Sequence, residues 1–288
     1  MSRAIVLAAP AKINLALEVV GRRDDGYHEL RSIFATVDLT DRVRVAVAHT
    51  LDVRTRPDVG APLGDDLAAR AVRALAAAAG HAPAAHVRIH KRVPVAAGLG
   101  GGSSDAGAVL RGLAALWGIG GELGPVAASI GSDVPFFVTG APYAAVSGRG
   151  ESVQALATPP VPLWAVLVRV VARVSTPAVF AALRPDEWSD GAATARLAAA
   201  FADGTIQPAL VRTGTHNGLL AAAERVCPAI SDARAVAGAK GITLTLSGSG
   251  PTLFTIANDR ADALRIARIL RRCGLVARAH VLGVPLPV

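Results

Sequence analysis

The amino-acid order predicts an α+β fold in two lobes, on three observations. The chain has 288 residues, which is long for one compact domain. Apolar residues make up 52% of it, enough to bury a sizeable core. The prolines Pro159, Pro160 and Pro162 then mark an internal boundary. Before it, strands and helices stand on either side of a glycine-rich loop; beyond it the order is strand, helices, two strands, helix, strand. The lobes are expected at residues 1–160 and 161–288.

Taken in order, Ile5 to Val20 alternates cleanly. Ile13, Leu15, Leu17 and Val19 fall on one face, and Lys12, Asn14, Ala16 and Glu18 on the other, the period of a strand. Lys12 and Asn14 therefore point the same way. The opening MSRAIVLAAPAK faintly mimics a signal peptide, but its apolar run from Ala4 to Ala9 is too short, so a first strand is expected. The polar loop GRRDDGYHEL begins at Gly21 and turns at Asp25-Gly26. Strands are expected over Leu30 to Leu39 and Arg42 to Val47, then a helix from Leu67 to Ala79 stopped by Gly80. His86 to Val93 reads as a strand that leads into PVAAGLGGGSSDA, Pro94 to Ala106. A helix follows from Ala106 to Trp117, with Val109, Leu113, Leu116 and Trp117 on its apolar stripe and Gly118 as its stop.

The helical pattern Pro125 to Ile130 precedes GSDVPFF, in which Pro135 is expected to hold Val134 extended. Beyond the prolines, strands are expected at Leu163 to Val171, Ile242 to Ser247, Leu253 to Ala257 and Val276 to Leu282. Helices are expected near Pro177 to Leu183, Ala193 to Phe201, Gly218 to Val226 and Asp259 to Arg272.

A formal charge of +8 invites a nucleic-acid reading. Yet only three of the 30 basic residues are lysine (Lys12, Lys91, Lys240), and the arginines are spread along an alanine-rich chain with no block of like charge. That is the pattern of a coding bias, with a basic surface that favours anionic small substrates. In such a chain a lysine marks a candidate place for a compact, rotatable ammonium. Cys227 and Cys273 form no CxxC pair, which argues against a disulfide framework or structural zinc and fits a reducing, cytoplasmic setting. The most apolar run, Val161 to Val174, is short of a membrane span and is broken by Arg169 and Arg173.

The glycine loop carries the strongest chemical signal. Glycines between Gly98 and Gly102 permit positive φ and close backbone approach, and Ser103 and Ser104 offer capping oxygens at a helix start. Free N–H groups and the positive end of a helix dipole converge there on an anion site. It is not a Walker A loop, for no lysine follows the glycines. Ser103 stands where GxGxxG needs its last glycine, and the protein-kinase HRD and DFG sets are absent. Asp133 in GSDVPFF reads either as a cap or as a general base for a hydroxyl. Tyr27 and His28 read as exposed loop residues or as a stacking ring beside an imidazole suited to a bound base. SGSGPT, Ser247 to Thr252, is a tight turn between two strands.

PAKINLALEV, DGYHEL, PVAAGLGGGSSDA, GSDVPFF and SGSGPT, in that order from Pro10 to Thr252, resemble the GHMP kinases. Within that superfamily PAKINL followed closely by GRRDDGYHEL is most similar to the branch acting on 4-(cytidine 5′-diphospho)-2-C-methyl-D-erythritol in the non-mevalonate isoprenoid pathway. The resemblance implies a ribosomal-protein-S5-like N-terminal lobe, a ferredoxin-like C-terminal lobe and a site in the cleft between them. It implies ATP and Mg2+ as cofactors, and phosphorylation of the substrate's 2-hydroxyl. Asp133 then falls on the catalytic aspartate and Lys12 on the catalytic lysine that is its charge partner. The loop Pro94, Val95, Ala96, Ala97, Gly98, Leu99, Gly100, Gly101, Gly102, Ser103 and Ser104 falls on the ATP-phosphate site. Tyr27 falls on the residue that stacks on cytosine and His28 on the one that reads its edge. Asn14 lines the same pocket, and Phe180, in VSTPAVF, supplies a second aromatic.

The chain departs from the pattern at Ala96 and Ala97, where relatives carry more glycine. It departs again at Gly107, where alanine is common and glycine costs a helix about 1 kcal/mol. A magnesium ligand is unassigned, with Asp105 and Glu122 both open. Two other readings stand beside this one. A homoserine- or mevalonate-type kinase would have no use for Tyr27 and His28. A nucleic-acid binder using the S5-like lobe is opposed by the dispersed arginines and the lack of interleaved aromatics. The partners expected are ATP and the cytidine substrate, without nucleic acid or membrane, in a monomer or homodimer.

Overall fold

The computed structural model describes residues 3–58 and 66–286. It opens with β1 (Ala4–Arg22), β2 (His28–Val47) and β3 (Asp52–Arg56), then α1 (Leu67–Ala79), β4 (Ala85–His90), α2 (Gly101–Trp117), α3 (Gly124–Ile130), α4 (Val134–Val138), β5 (Tyr143–Gly148) and β6 (Ser152–Ala155). There follow β7 (Trp164–Arg169), α5 (Thr176–Ala182), α6 (Ala192–Ala202), α7 (Pro208–Gly214), β8 (His216–Asn217), α8 (Leu220–Val226), α9 (Pro228–Gly238), β9 (Thr245–Leu246), β10 (Leu253–Ala257), α10 (Arg260–Arg272) and β11 (Val276–Val281). No helix among the described residues is long and apolar enough to cross a membrane.

Two sheets organise these elements. One runs β3-β4-β2-β1-β8 with β5 on β2 and β6 on β5; the other runs β11-β7-β10-β9. The turn expected at Asp25-Gly26 joins β1 to β2. Gly26 takes φ +84°, and the Asp25 carboxylate accepts from the Tyr27 N–H at 3.1 Å. Behind β1, β2 and β4, helices α1, α2 and α3 bury Leu75, Val109, Leu110 and Leu113 against Val43, Val45, Val87 and Ile89. A second core lies between the sheets, where Ile13 and Leu15 meet Leu163, Ala165, Phe254 and Ile256.

Several expectations are corrected. The two strands expected between Leu30 and Val47 are one, because the polar stretch between them makes a bulge against β1: Thr40 pairs with Pro10, and Val37 with Ala11. Val134 is helical although Pro135 follows it. The proline lies in the first turn of α4, where its missing N–H has no intrahelical partner to lose. The helix after the glycine loop starts at Gly101, so Ser103 and Ser104 stand inside it. The cap is Gly100, at φ +67°, with no side-chain capping bond. The strand expected from Ile242 to Ser247 shrinks to Thr245–Leu246, the stretch that finds a partner in β10. The helix expected from Gly218 starts at Leu220, because the Gly218 N–H still bonds the Leu17 carbonyl of β1 at 2.8 Å.

Candidate active site

β1 pairs with β2 at one edge and β8 at the other, and from Ala9 to Val19 every residue is buried, on the polar face as well as the apolar one. Lys12 is only 4% exposed. An ammonium taken from water needs partners, and three are in place. Nζ donates to Asn14 Oδ1 at 2.9 Å, lies 3.2 Å from Asp133 Oδ2, and stands 4.1 Å from the centre of the Phe34 ring. Asn14 in turn donates to Ser32 Oγ at 2.9 Å, and Ser32 bonds the Ala16 carbonyl. The i, i+2 spacing legible in the sequence thus becomes a relay that holds Lys12 in one place.

Asp133 sits between α3 and α4 with its side chain 31% exposed. It holds the N-cap position of α4, but its side chain makes no capping hydrogen bond, so the carboxylate is not spent on the helix. One carboxylate oxygen meets Lys12; the other makes no hydrogen bond among the described residues.

The glycine loop approaches the same strand. The Lys12 N–H donates to the Leu99 carbonyl at 2.9 Å. Gly98 and Gly100 adopt φ +72° and +67°. A Cβ on Gly98 would stand 2.2 Å from the Ser247 carbonyl oxygen, and one on Gly100 would stand 3.0 Å from Lys12 Cγ. Only glycine fits at Gly98, because the SGSGPT turn is packed onto the loop there. Ser247 Oγ donates to the Gly98 carbonyl at 3.0 Å, and Asn217 Nδ2 anchors the turn through the Leu246 and Gly248 carbonyls at 2.8 and 2.9 Å. The first N–H groups of the 17-residue α2 have no partner within the helix and gather at its positive end, an arrangement suited to an anion. Ser104 is fully buried behind this surface and its Oγ makes no hydrogen bond among the described residues, whereas Pro94 to Ser103 line the cavity.

At the far end lie the aromatic residues. His28 stacks on Phe180 with ring centres 5.0 Å apart and planes 26° apart, and Trp188 meets His28 edge-on at 6.5 Å. Burial, and secondly the nearby Arg22, lower the His28 pKa, which favours the neutral ring. Tyr27 is 52% exposed, with the Arg149 guanidinium 5.2 Å from its ring centre. One cavity of about 1350 Å³ takes in Lys12, Asn14, Asp133, the glycine loop, and Tyr27, His28 and Phe180.

Sequence reading missed part of this lining. Thr176 and Ser249 share a hydrogen bond at 2.7 Å, and Arg149 and Trp188 come from loops with no local motif. Lys91 was flagged only by the rarity of lysine. Its ammonium is held between Asp41 and Asp105, the latter at 2.7 Å. Burial raises the Asp105 carboxyl to about 7; Lys91 opposes this and Asp41 adds to it. Of the two open magnesium candidates, Asp105 is committed to Lys91, and Glu122 is exposed and outside the cavity.

Comparison with known proteins gives the family. The family model described as GHMP kinases N terminal domain covers residues 66–141, and the one described as GHMP kinases C terminal covers residues 197–275. A 4-diphosphocytidyl-2-C-methyl-D-erythritol kinase of Thermus thermophilus is 39% identical over 277 residues, covering 96% of this chain and 95% of its own. One from Brevibacillus brevis is 38% identical over 275 residues, covering 93% and 92%. The chain belongs to the 4-diphosphocytidyl-2-C-methyl-D-erythritol kinase family.

As a member of that family within the GHMP kinases it is an ATP-dependent small-molecule kinase of two-lobed α+β fold. A crystal structure of a 4-(cytidine 5′-diphospho)-2C-methyl-D-erythritol kinase superposes with a TM-score of 0.78 at 37% identity, covering 97% of this chain and all (100%) of that one. A homoserine kinase from Cytophaga hutchinsonii superposes at 0.73 but with 18% identity, covering 98% and 95%, and shares the fold alone.

Proposed function

We propose that the chain transfers the γ-phosphoryl group of ATP to the 2-hydroxyl of 4-(cytidine 5′-diphospho)-2-C-methyl-D-erythritol, in the non-mevalonate route to isoprenoid precursors and in the cytoplasm. The observation that carries this reading is one cavity joining the Lys12–Asp133 pair to a glycine-loop anion site and to the Tyr27–His28–Phe180 cluster. The names of the most similar relatives point to the same substrate.

In this reading Asp133 accepts the proton of the attacking hydroxyl with the carboxylate oxygen that is not engaged by Lys12. The substrate oxygen bonds to the γ-phosphorus as the bridge to the β-phosphate breaks, and ADP leaves. The Lys12 ammonium orients the carboxylate and offsets charge on the phosphoryl group in flight. The backbone of Gly98 to Ser103 holds the phosphates. Tyr27 and Phe180 offer ring faces to the cytosine, and a neutral His28 offers its edge both a donor and an acceptor. Asn14 holds Lys12 in register.

The residues present fit magnesium carried on nucleotide phosphates. No group of three or more His, Cys, Asp or Glu side chains suited to a metal occurs among the described residues; of the three carboxylates that line the cavity, Asp105 is bonded to Lys91 and Asp66 caps α1, which leaves Asp133 with one oxygen open. A site with few protein ligands suits an ion that keeps its waters and its phosphate oxygens; when bound it would neutralise phosphate charge. A lobe boundary near residue 160 belongs to the same reading, supported by the change of sheet between β6 and β7.

Coupled measurement of ADP release tests the assignment, with the cytidine substrate run beside homoserine and mevalonate. The cytidine compound should turn over at least 100-fold faster than either. Equal or preferred use of homoserine or mevalonate would reject it.

A further inference from the structure

Five of the arginines that look dispersed along the sequence gather on one sheet face. β3, β4 and β2 lie side by side in register. Arg56 and Arg42 both pair with His90, and Arg54 and Arg44 both pair with Arg88. Alternation sends the intervening Val43, Val45, Val53, Val87 and Ile89 into the core beneath α1 and α2. The opposite face is therefore a grid of five guanidiniums and one imidazole, in two rows about 7 Å apart along strands about 5 Å apart. It shapes a concavity of about 470 Å³ that no carboxylate lines.

The grid is only partly neutralised. Asp52, at its edge, bonds Arg88 at 2.7 Å and Arg54 at 3.2 Å. The side chains of Arg42, Arg44 and Arg56 make no hydrogen bond or ion pair among the described residues, and all three are exposed. Like charges this close repel one another, and an anion seated among them converts that repulsion into attraction. Arginine forks bind phosphate oxygens two at a time.

We propose that this face is a second anion site, separate from the active-site cavity, that takes a compact ligand carrying two or three linked phosphate groups. Its size excludes a longer partner. Two residues along by three strands across spans about 7 by 10 Å, too little to follow a run of duplex phosphates. Apart from His90 it presents no ring on which the bases of a single strand could stack. The position separates it from catalysis: on β4 and its continuation, Ile89 and Lys91 face the large cavity, while Arg88 and His90 face the other way.

Inorganic tripolyphosphate titrated calorimetrically into protein holding one equivalent of ADP, which fills the active-site cavity and leaves the grid open, tests the site directly. The wild type should bind one equivalent beyond the ADP. Joint replacement Arg42→Gln and Arg56→Gln should weaken that binding at least tenfold, as should the charge reversal Arg44→Glu, with thermal melts confirming that each variant is folded. Kinase turnover without tripolyphosphate should be unchanged in all of them. Absence of binding to the wild type, or binding undiminished in both variants, would overturn the proposal. A single-stranded oligonucleotide that binds the wild type more tightly than tripolyphosphate, and is lost in the same variants, would overturn it in favour of nucleic acid.

Discussion

Asp133 and Lys12 stand 121 positions apart in the chain and 3.2 Å apart in the fold, with one carboxylate oxygen left over for a substrate hydroxyl. Asp133→Asn keeps the shape and removes the proposed proton acceptor. Its kcat should fall by about 10²–10⁴, the usual contribution of a positioned base, while the ADP dissociation constant measured by titration stays within a few-fold. Retained turnover would remove Asp133 from the base role. Asp105 makes a different prediction. Its folded pKa of about 7 lies above the ordinary carboxylate value, so between the two the native state binds the extra proton. Stability therefore falls as pH rises from about 4 to about 7 and is level above that. Asp105→Asn keeps an oxygen for Lys91 and abolishes the titration. Between pH 5 and pH 8 the variant should gain about 1–3 kcal/mol relative to wild type in urea unfolding, and parallel pH profiles would refute this.

At the scale of elements, helix α2 carries a residue whose effect reverses between sequence and structure. Read alone, Gly107 weakens the helix by about 1 kcal/mol, and alanine should improve it. In the fold, a Cβ there would lie 2.6 Å from Phe137 Cβ and 3.1 Å from the Phe137 carbonyl oxygen of α4. The glycine lets α2 and α4 approach, and α4 follows directly on Asp133. Overpacking outweighs propensity, so Gly107→Ala should destabilise the protein by about 1–2 kcal/mol in denaturant melts and raise the KM for substrate. A stabilised variant would show that α4 can yield.

Across the whole molecule, the first sheet is completed by sequence from the far side of the proline cluster. β8, from beyond the proline cluster, extends the first sheet by pairing Ala16 with His216 and Leu17 with Asn217. Glu18 of β1 accepts from the Thr194 N–H of α6 at 2.7 Å, and Thr36 of β2 donates to the Val284 carbonyl at 2.8 Å. With the core of Ile13, Leu15, Leu163 and Phe254 shared between them, neither half keeps a complete apolar surface alone. Unfolding should be one transition despite the length. Far-UV dichroism and tryptophan fluorescence, the latter sampling Trp117 in α2 and Trp164 in β7, should coincide. Two separated midpoints would show independent lobes.

Much of this was written in local order. The alternation of β1 put Lys12 and Asn14 together, the glycine run announced a loop of positive φ leading into a helix, and most helices and strands fall within a few residues of their expected places. These features depend on neighbours in the chain, through period, turn chemistry and propensity, and a sequence displays its neighbours. Local order did not reveal what the elements meet. Val134 is helical, Ser104 points inward, and Gly107 is needed for packing, because α2, α4 and the SGSGPT turn crowd one another in space. The arginine grid is the plainest case. Its members come from three strands between Arg42 and His90, look scattered when read in a line, and become one charged face only when hydrogen-bonded register sets those strands side by side. Local periodicity determined which side chains share a face; only the tertiary structure decided which faces meet.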